Sequence, residues 1–208
     1  MEKRTLHVFL GRLCNFTCTH CINDSGPDGN SFGSTEAVKS LCKQISESKT
    51  YSTIHFNGGE PSLQMKTILE IQSILGDSYK YGITTNGWFY RNPNYILSKM
   101  SLDNVNISYD SYRKAFIKPK NIIELANSLK NQGIKVEVTY VAADLKTNVD
   151  DLLEFKSAGF NPFVCQPIES GRYKASSSLV NMEDTTKDFR CPIFKNGKIS
   201  QPDLYIAN

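Results

Sequence analysis

Three cysteines, Cys14, Cys18 and Cys21, lie together in the segment CNFTCTHC, and three thiols at this spacing are a set of soft ligands for a metal. A structural zinc site closes on four protein ligands, whereas an iron–sulfur cubane held by three cysteines keeps one iron open to an outside ligand. An open iron is a reactive iron. His20 offers a fourth zinc ligand, but it adjoins Cys21, and neighbouring residues seldom reach one metal together. The remaining cysteines are scattered: Cys42 on an apolar helical stripe, Cys165 in an expected strand and Cys191 near the C-terminus. Crowding of three into one loop is the pattern of ligation in a reducing compartment rather than of a disulfide framework.

Further residues with chemical potential follow at intervals. Gly58, Gly59, Glu60 and Pro61 are consecutive; the glycines alone make a tight turn and Pro61 a turn or helix start. A strand end without Cβ atoms also admits a ligand to the backbone, where carbonyls and the Glu60 carboxylate accept from an ammonium group. Asn86 and Gly87, in ITTNG, satisfy a turn with φ > 0 on their own. Ser108 and Asp110, in ISYD, present a hydroxyl and a carboxylate, although strand-end Ser and Asp also cap helices. Gln166 precedes Pro167, and Arg172 in SGRYK is either a bidentate fork for an anion or an exposed loop arginine. Cys165 could donate a hydrogen atom to a substrate radical, against the commoner role of a buried apolar cysteine.

The elements that position these residues are read from periodicity. Strands are expected at Leu6–Leu10, Thr53–Asn57, Tyr81–Thr85, Asn104–Ser108, Val136–Val141 and Pro162–Gln166. Between them Val38, Leu41, Cys42 and Ile45 mark a helix capped by Ser34, and Ile68, Ile71 and Leu75 a second before Gly76. Pro93 opens a third carrying Ile96, Leu97 and Met100; Ile122, Ala126 and Leu129 stripe a fourth ending at Gly133; Leu152, Leu153 and Phe155 belong to a fifth. Regular alternation of strand and helix predicts an α/β fold, a partial (β/α)6 barrel of parallel strands with an irregular C-terminal extension. Loops at the carboxyl ends of such strands converge on one face. The cysteines, GGEP, Asn86, Ser108 with Asp110, and Gln166 all follow strands, so one pocket is expected to gather them.

The CxxxCxxC spacing followed by GGEP resembles the radical S-adenosylmethionine (SAM) superfamily, and the chain is similar to the barrel of its peptide-modifying, SPASM and twitch-type members. The resemblance implies an oxygen-sensitive enzyme in which Cys14, Cys18 and Cys21 hold a 4Fe-4S cluster. It implies that SAM chelates the open iron through its amino and carboxylate groups, with Gly58, Gly59, Glu60 and Pro61 at the methionine amino group. Ser108 is then expected at the SAM carboxylate and Asp110 at the ribose, with Asn86, Gln166 and Arg172 as further cofactor contacts. A one-electron donor such as flavodoxin or ferredoxin would drive cleavage to a 5′-deoxyadenosyl radical that abstracts hydrogen from a peptide, an amino acid or a small polar metabolite. A glycyl-radical activating enzyme is an alternative, as is a non-catalytic zinc-binding protein. Two departures from the family pattern stand out: His20 occupies a position that is often aromatic, and no glycine-rich motif follows VTYV.

Composition bounds the rest. A chain of 208 residues with 39% hydrophobic and 22% charged residues is long enough to bury a core without disulfides. Residues 1–170 are expected to form the barrel and 171–208 an extension packed on it. A formal charge of +3 gives no reason to expect nucleic acid. The start MEKRTLHVFL runs from charge into a strand with no cleavage site, and no apolar run spans a bilayer, so a cytoplasmic protein without membrane contact is expected. The tail RCPIFKNGKISQPDLYIAN resembles the entry to an auxiliary-cluster region, but Cys191 is its single cysteine.

Overall fold

Parallel strands separated by helices make one sheet in the computed structural model, which describes residues 4–142, 149–165, 167, 171–172 and 204–206. The order along the chain is β1 (Arg4–Phe9), α1 (Thr35–Ser48), β2 (Tyr51–Asn57), α2 (Met65–Leu75), β3 (Lys80–Thr85), α3 (Pro93–Leu97) and β4 (Asn104–Asp110), then α4 (Pro119–Asn131), β5 (Lys135–Val141), α5 (Val149–Ser157), β6 (Phe163–Cys165) and β7 (Leu204–Ile206). Neighbours in the sheet run β6-β5-β4-β3-β2-β1-β7. The first six curl into the expected α/β partial barrel. The seventh, pairing Leu204 with His7 and Ile206 with Phe9, is not anticipated by periodicity, because three residues carry too little pattern. Gln166 and Cys191 lie outside the described residues.

Helix boundaries follow local chemistry. Ser34 accepts a hydrogen bond from the Ala37 backbone N–H and caps α1, as expected. Pro119 opens α4, whose Ile122, Leu125, Ala126 and Leu129 are buried. In α5 the expectation is corrected at one position: Phe155 is buried, but Leu153 is 54% exposed, since it lies off the stripe that Phe155 and half-buried Leu152 share.

Alternation divides the sheet into two unlike faces. Leu6, Val8, Ile54, Phe56, Tyr81, Ile83, Val105, Ile107, Tyr109, Val138 and Tyr140 join the helix stripes in one core. The opposite face, the inside of the curled sheet, carries His7, His55, Asn57, Thr84, Asn106, Ser108 and Thr139. These polar side chains are cross-linked along the strand register: His55 Nε2 lies 2.9 Å from Thr84 Oγ1, Asn57 Nδ2 2.9 Å from His7 Nδ1, and Thr139 Oγ1 donates to Asn106 Oδ1 at 3.0 Å. Gly82 makes room for this layer, since a Cβ there would strike His55 and Asn104.

The two imidazoles lie with ring centroids 5.1 Å apart. Burial, and next the charge of His7, push the His55 imidazole down from 6.5 to about 4, against a hydrogen bond that the ring donates to Asn104 and the charge of Glu137. The unfolded chain takes up a proton near pH 6.5 that folded His55 refuses until about pH 4, so stability falls as pH drops through that window. In iron-free protein the loss should reach about 2–3 kcal/mol. Urea midpoints between pH 4 and 7 should slope less in His55→Gln than in wild type; identical slopes would contradict a neutral, buried His55.

Candidate functional site

The connection after β1 carries the three cysteines and is held by its own backbone. Gly11 bridges Ser31, and Leu13 bridges Gly26; Cys14 N–H donates to the Gly26 carbonyl at 2.9 Å. Cys14 is buried, whereas Cys18 and Cys21 are half-buried free thiols. Two backbone N–H groups point at sulfur, Phe16 to Cys14 at 3.4 Å and Ser25 to Cys21 at 3.3 Å, and Asn86 Nδ2 lies 3.8 Å from Cys14 Sγ. Burial pushes the Cys18 thiol up to about 11 and raises Cys14 as well, so ligation must displace protons.

The loop after β2 is pressed onto this connection. Gly59 N–H donates to the Gly11 carbonyl at 2.9 Å, and Glu60 N–H to the Leu13 carbonyl at 2.8 Å. A Cβ on Gly58, whose φ is +144°, would stand 2.7 Å from the Gly11 carbonyl, and one on Gly59 would run into Leu13. Both glycines are thus required by backbone contact with the cysteine connection. Glu60 is fully buried. Its carboxylate accepts from Ser62 Oγ at 2.5 Å, Ser62 N–H at 3.2 Å, Thr85 Oγ1 at 2.8 Å and Asn86 N–H at 2.7 Å. Burial raises its pKa against these donors. Pro61 starts a single 3-10 turn, Pro61–Gln64, and Gln64 ties that turn to the cysteine connection by accepting from Phe32 N–H at 2.7 Å and donating to the Leu10 carbonyl.

Asn86 joins three of these segments. Besides its contacts to Glu60 and Cys14, its Nδ2 donates to Asn15 Oδ1 at 2.9 Å, and its Oδ1 accepts from Trp88 N–H at 3.0 Å. At the end of β4, Asp110 is fully buried and caps the short turn Ser111–Arg113. It accepts from Arg113 N–H at 2.9 Å and Arg113 Nε at 2.6 Å, and His20 Nε2 lies 3.3 Å away. Burial pushes this carboxyl up, but the His20 contact and the Arg113 charge outweigh it and hold it below the ordinary value. Arg113 also donates to the Ser108 carbonyl at 2.5 Å, while His20 stacks on Tyr112 at 4.4 Å. In this structure Asp110 holds Arg113 and His20. Arg113 was missed by sequence reasoning, although its place three residues after Asp110 is the spacing of a local ion pair.

Arg172, half-buried, packs on the cysteine connection itself, donating to the Cys18 carbonyl at 3.0 Å and to Asp24 at 2.9 Å. Cys165 is half-buried, and burial pushes its thiol up to about 11. It lies opposite Val141, which lies opposite Asp110, so all three occupy the inner face of the sheet. A cleft of about 250 Å³ borders the connection, lined by Asn15, Phe16, Trp88 and Phe116 among others.

The donor set suits an iron–sulfur cluster. It consists of three thiols on one connection, with N–H donors aimed at two sulfurs, the outer contacts that tune such clusters. Two buried polar atoms of the same connection, His20 Nδ1 and Ser25 Oγ, have no partner, as befits the wall of a site that receives a group. Among the described residues no three His, Cys, Asp or Glu side chains are gathered around one point that could hold a metal ion.

Comparison with known proteins bears on the same residues. Positions 8–158 match the family model for the Radical SAM superfamily. The putative peptide biosynthesis protein YydG of Bacillus subtilis is 29% identical over 210 aligned positions, covering 92% of this chain and 65% of that protein. The GTP 3′,8-cyclase of Vibrio parahaemolyticus is 30% identical over 149 positions, covering 64% of this chain and 44% of the cyclase. The chain therefore spans between about half and two-thirds of these relatives' length. Streptococcus suis SuiB bound to S-adenosylmethionine superposes with a TM-score of 0.60 at 14% identity, over 84% of this chain and 44% of SuiB, a likeness of fold. No helix among the described residues is long and apolar enough to cross a membrane.

Proposed function

Since the chain belongs to the radical SAM superfamily, we propose that it is an enzyme that binds a 4Fe-4S cluster and SAM and abstracts hydrogen from a peptide. When bound and reduced by a one-electron donor of the flavodoxin or ferredoxin type, the cofactors supply cleavage of the SAM sulfonium and a carbon radical. Cys14, Cys18 and Cys21 hold the cluster, and Gly58–Pro61 with Asn86 and Ser108 form the rim that receives SAM. The residues around them hold this rim still: Glu60 fixes the turns after β2 and β3, and the Asp110–Arg113 pair fixes the turn after β4. Rigidity matters because reaction requires the substrate carbon to be held close to the reacting group and away from water. The half-buried Cys165 thiol on the inner face would give a hydrogen atom to the substrate radical, and the thiyl radical left behind would take an electron from the one-electron donor and a proton from solvent.

The observation that carries the peptide assignment is the inner face of the sheet. Its imidazole, amide and hydroxyl groups both donate and accept, as peptide groups do. A triphosphate calls for cations. On this face Lys80 and Lys135 occupy the first positions of their strands, the end remote from the cysteines, and Lys135 is paired with Glu137 at 2.8 Å. At the cysteine end, Arg113 and Arg172 are already engaged. YydG, whose name places it in peptide biosynthesis, aligns over more of the chain than the cyclase does.

Calorimetric titration of GTP into reconstituted protein containing SAM should give no binding at millimolar concentration, whereas dithionite should still drive formation of 5′-deoxyadenosine. Saturable GTP binding would move the assignment to nucleotides. Absence of 5′-deoxyadenosine from cluster-loaded protein would overturn the radical reaction itself.

A further inference from the structure

A connection that must present three thiols in one geometry has a physical difficulty: residues Leu10 to Ser34 contain no regular helix or strand, and fixing each backbone residue costs about 1–2 kcal/mol. Local bonds answer part of it, such as Cys21 N–H to the Cys18 carbonyl at 3.2 Å and Asp24 N–H to the Cys21 carbonyl at 3.4 Å. They turn the chain so that the Cys18, Cys21 and Ser25 carbonyls converge on one side, and they leave Asp24 in the left-handed region at φ 52°. Converging carbonyl dipoles repel one another unless a shared donor lies among them.

Arg172 is that donor. Its backbone N–H donates to the Cys21 carbonyl at 3.0 Å, Nε to the Cys18 carbonyl at 3.0 Å, Nη2 to the Ser25 carbonyl and Nη1 to the Asp24 carboxylate at 2.9 Å. Four groups of one connection are thus held by a residue that follows the sixth strand. Lysine substitutes only in part, because an ammonium has no planar fork to reach separated acceptors. The preceding Gly171, at φ +58°, allows the approach: a Cβ would collide with the Cys21 carbonyl and lie 2.6 Å from that of Ile22.

We propose that Gly171 and Arg172 form a clasp that preorganises the cysteine connection, making Arg172 a positioning residue for the cluster. This rests on the assignment of Cys14, Cys18 and Cys21 as its ligands. The clasp also couples the chain beyond β6 to the cluster: a shift of that segment would be felt at Cys18 and Cys21 through three carbonyls.

The test compares wild type with Arg172→Ala and Arg172→Lys. In iron-free protein, amides of residues 18–26 should exchange hydrogen about ten-fold faster in Arg172→Ala, from the loss of charge-assisted hydrogen bonds, while amides of α2 and α4 keep their rates. After reconstitution at limiting iron, Arg172→Ala should hold several-fold less iron and sulfide. Ethylguanidinium at millimolar concentration should restore occupancy, and Arg172→Lys should recover only part of it. Full iron in Arg172→Ala with unchanged exchange at residues 18–26 would overturn the clasp, as would uniformly faster exchange without rescue. Wild type that binds no iron would instead refute the cluster assignment, and the exchange arm would still decide the clasp.

Discussion

Alanine at Cys14, Cys18 or Cys21 should yield protein that leaves anaerobic reconstitution without iron, whereas Cys42→Ala keeps its full complement. The contrast follows from position. The three loop thiols share one connection, with hydrogen bonds aimed at Cys14 and Cys21, while Cys42 is 1% exposed within the apolar face of α1. A cluster held by three protein ligands cannot lose one without opening a second iron to solvent. Loss should therefore be nearly complete and alike at all three positions, measured as iron and acid-labile sulfide per chain. Iron lost from the Cys42 variant, or kept by two of the loop variants, would contradict the ligand set.

Asp110→Ala should destabilise the fold by about 3–5 kcal/mol, because removing one partner leaves the Arg113 guanidinium buried without its counter-charge. Arg113 is 5% exposed, so water cannot take the place of the carboxylate. For a chain of this length the thermal midpoint should fall by about 10 °C. Replacing both members by apolar residues, as in Asp110→Ala with Arg113→Met, should recover much of the loss, since no charge is then left alone. The same variants separate two roles for Asp110. A direct contact to the SAM ribose would weaken SAM binding by about 1.5–3 kcal/mol while leaving the melting temperature in place. An internal clasp lowers the melting temperature whether or not SAM is present, and an unchanged midpoint would contradict it.

Much of this architecture is legible in the sequence, for reasons that differ by element. Most of the barrel strands and helices announce themselves because they have one buried face, as in the stripe of Ile68, Ile71 and Leu75, and periodicity reports burial. In β6, where Phe163 and Val164 are exposed, the apolar run itself is the signal. The cysteine cluster and GGEP are legible as soft ligands and as missing Cβ atoms. The contacts that hold the site are not. Glu60 gathers donors from Ser62, Thr85 and Asn86, and Arg172 grips a connection roughly 150 positions earlier. Pairings across such distances depend on which strand ends meet, and they leave no local period. Asp110 illustrates the limit: strand end plus acid fits a ligand contact or a cap, and only the position of Arg113 shows which partner it holds here. The strand Leu204–Ile206 is likewise too short to declare itself.

Electron paramagnetic resonance of the anaerobically purified, dithionite-reduced protein, recorded with and without SAM, tests the central claim most directly. A cluster with one open iron at Cys14, Cys18 and Cys21 predicts a brown protein whose reduced signal changes shape when SAM binds that iron. A colourless protein carrying stoichiometric zinc and giving no signal would contradict it.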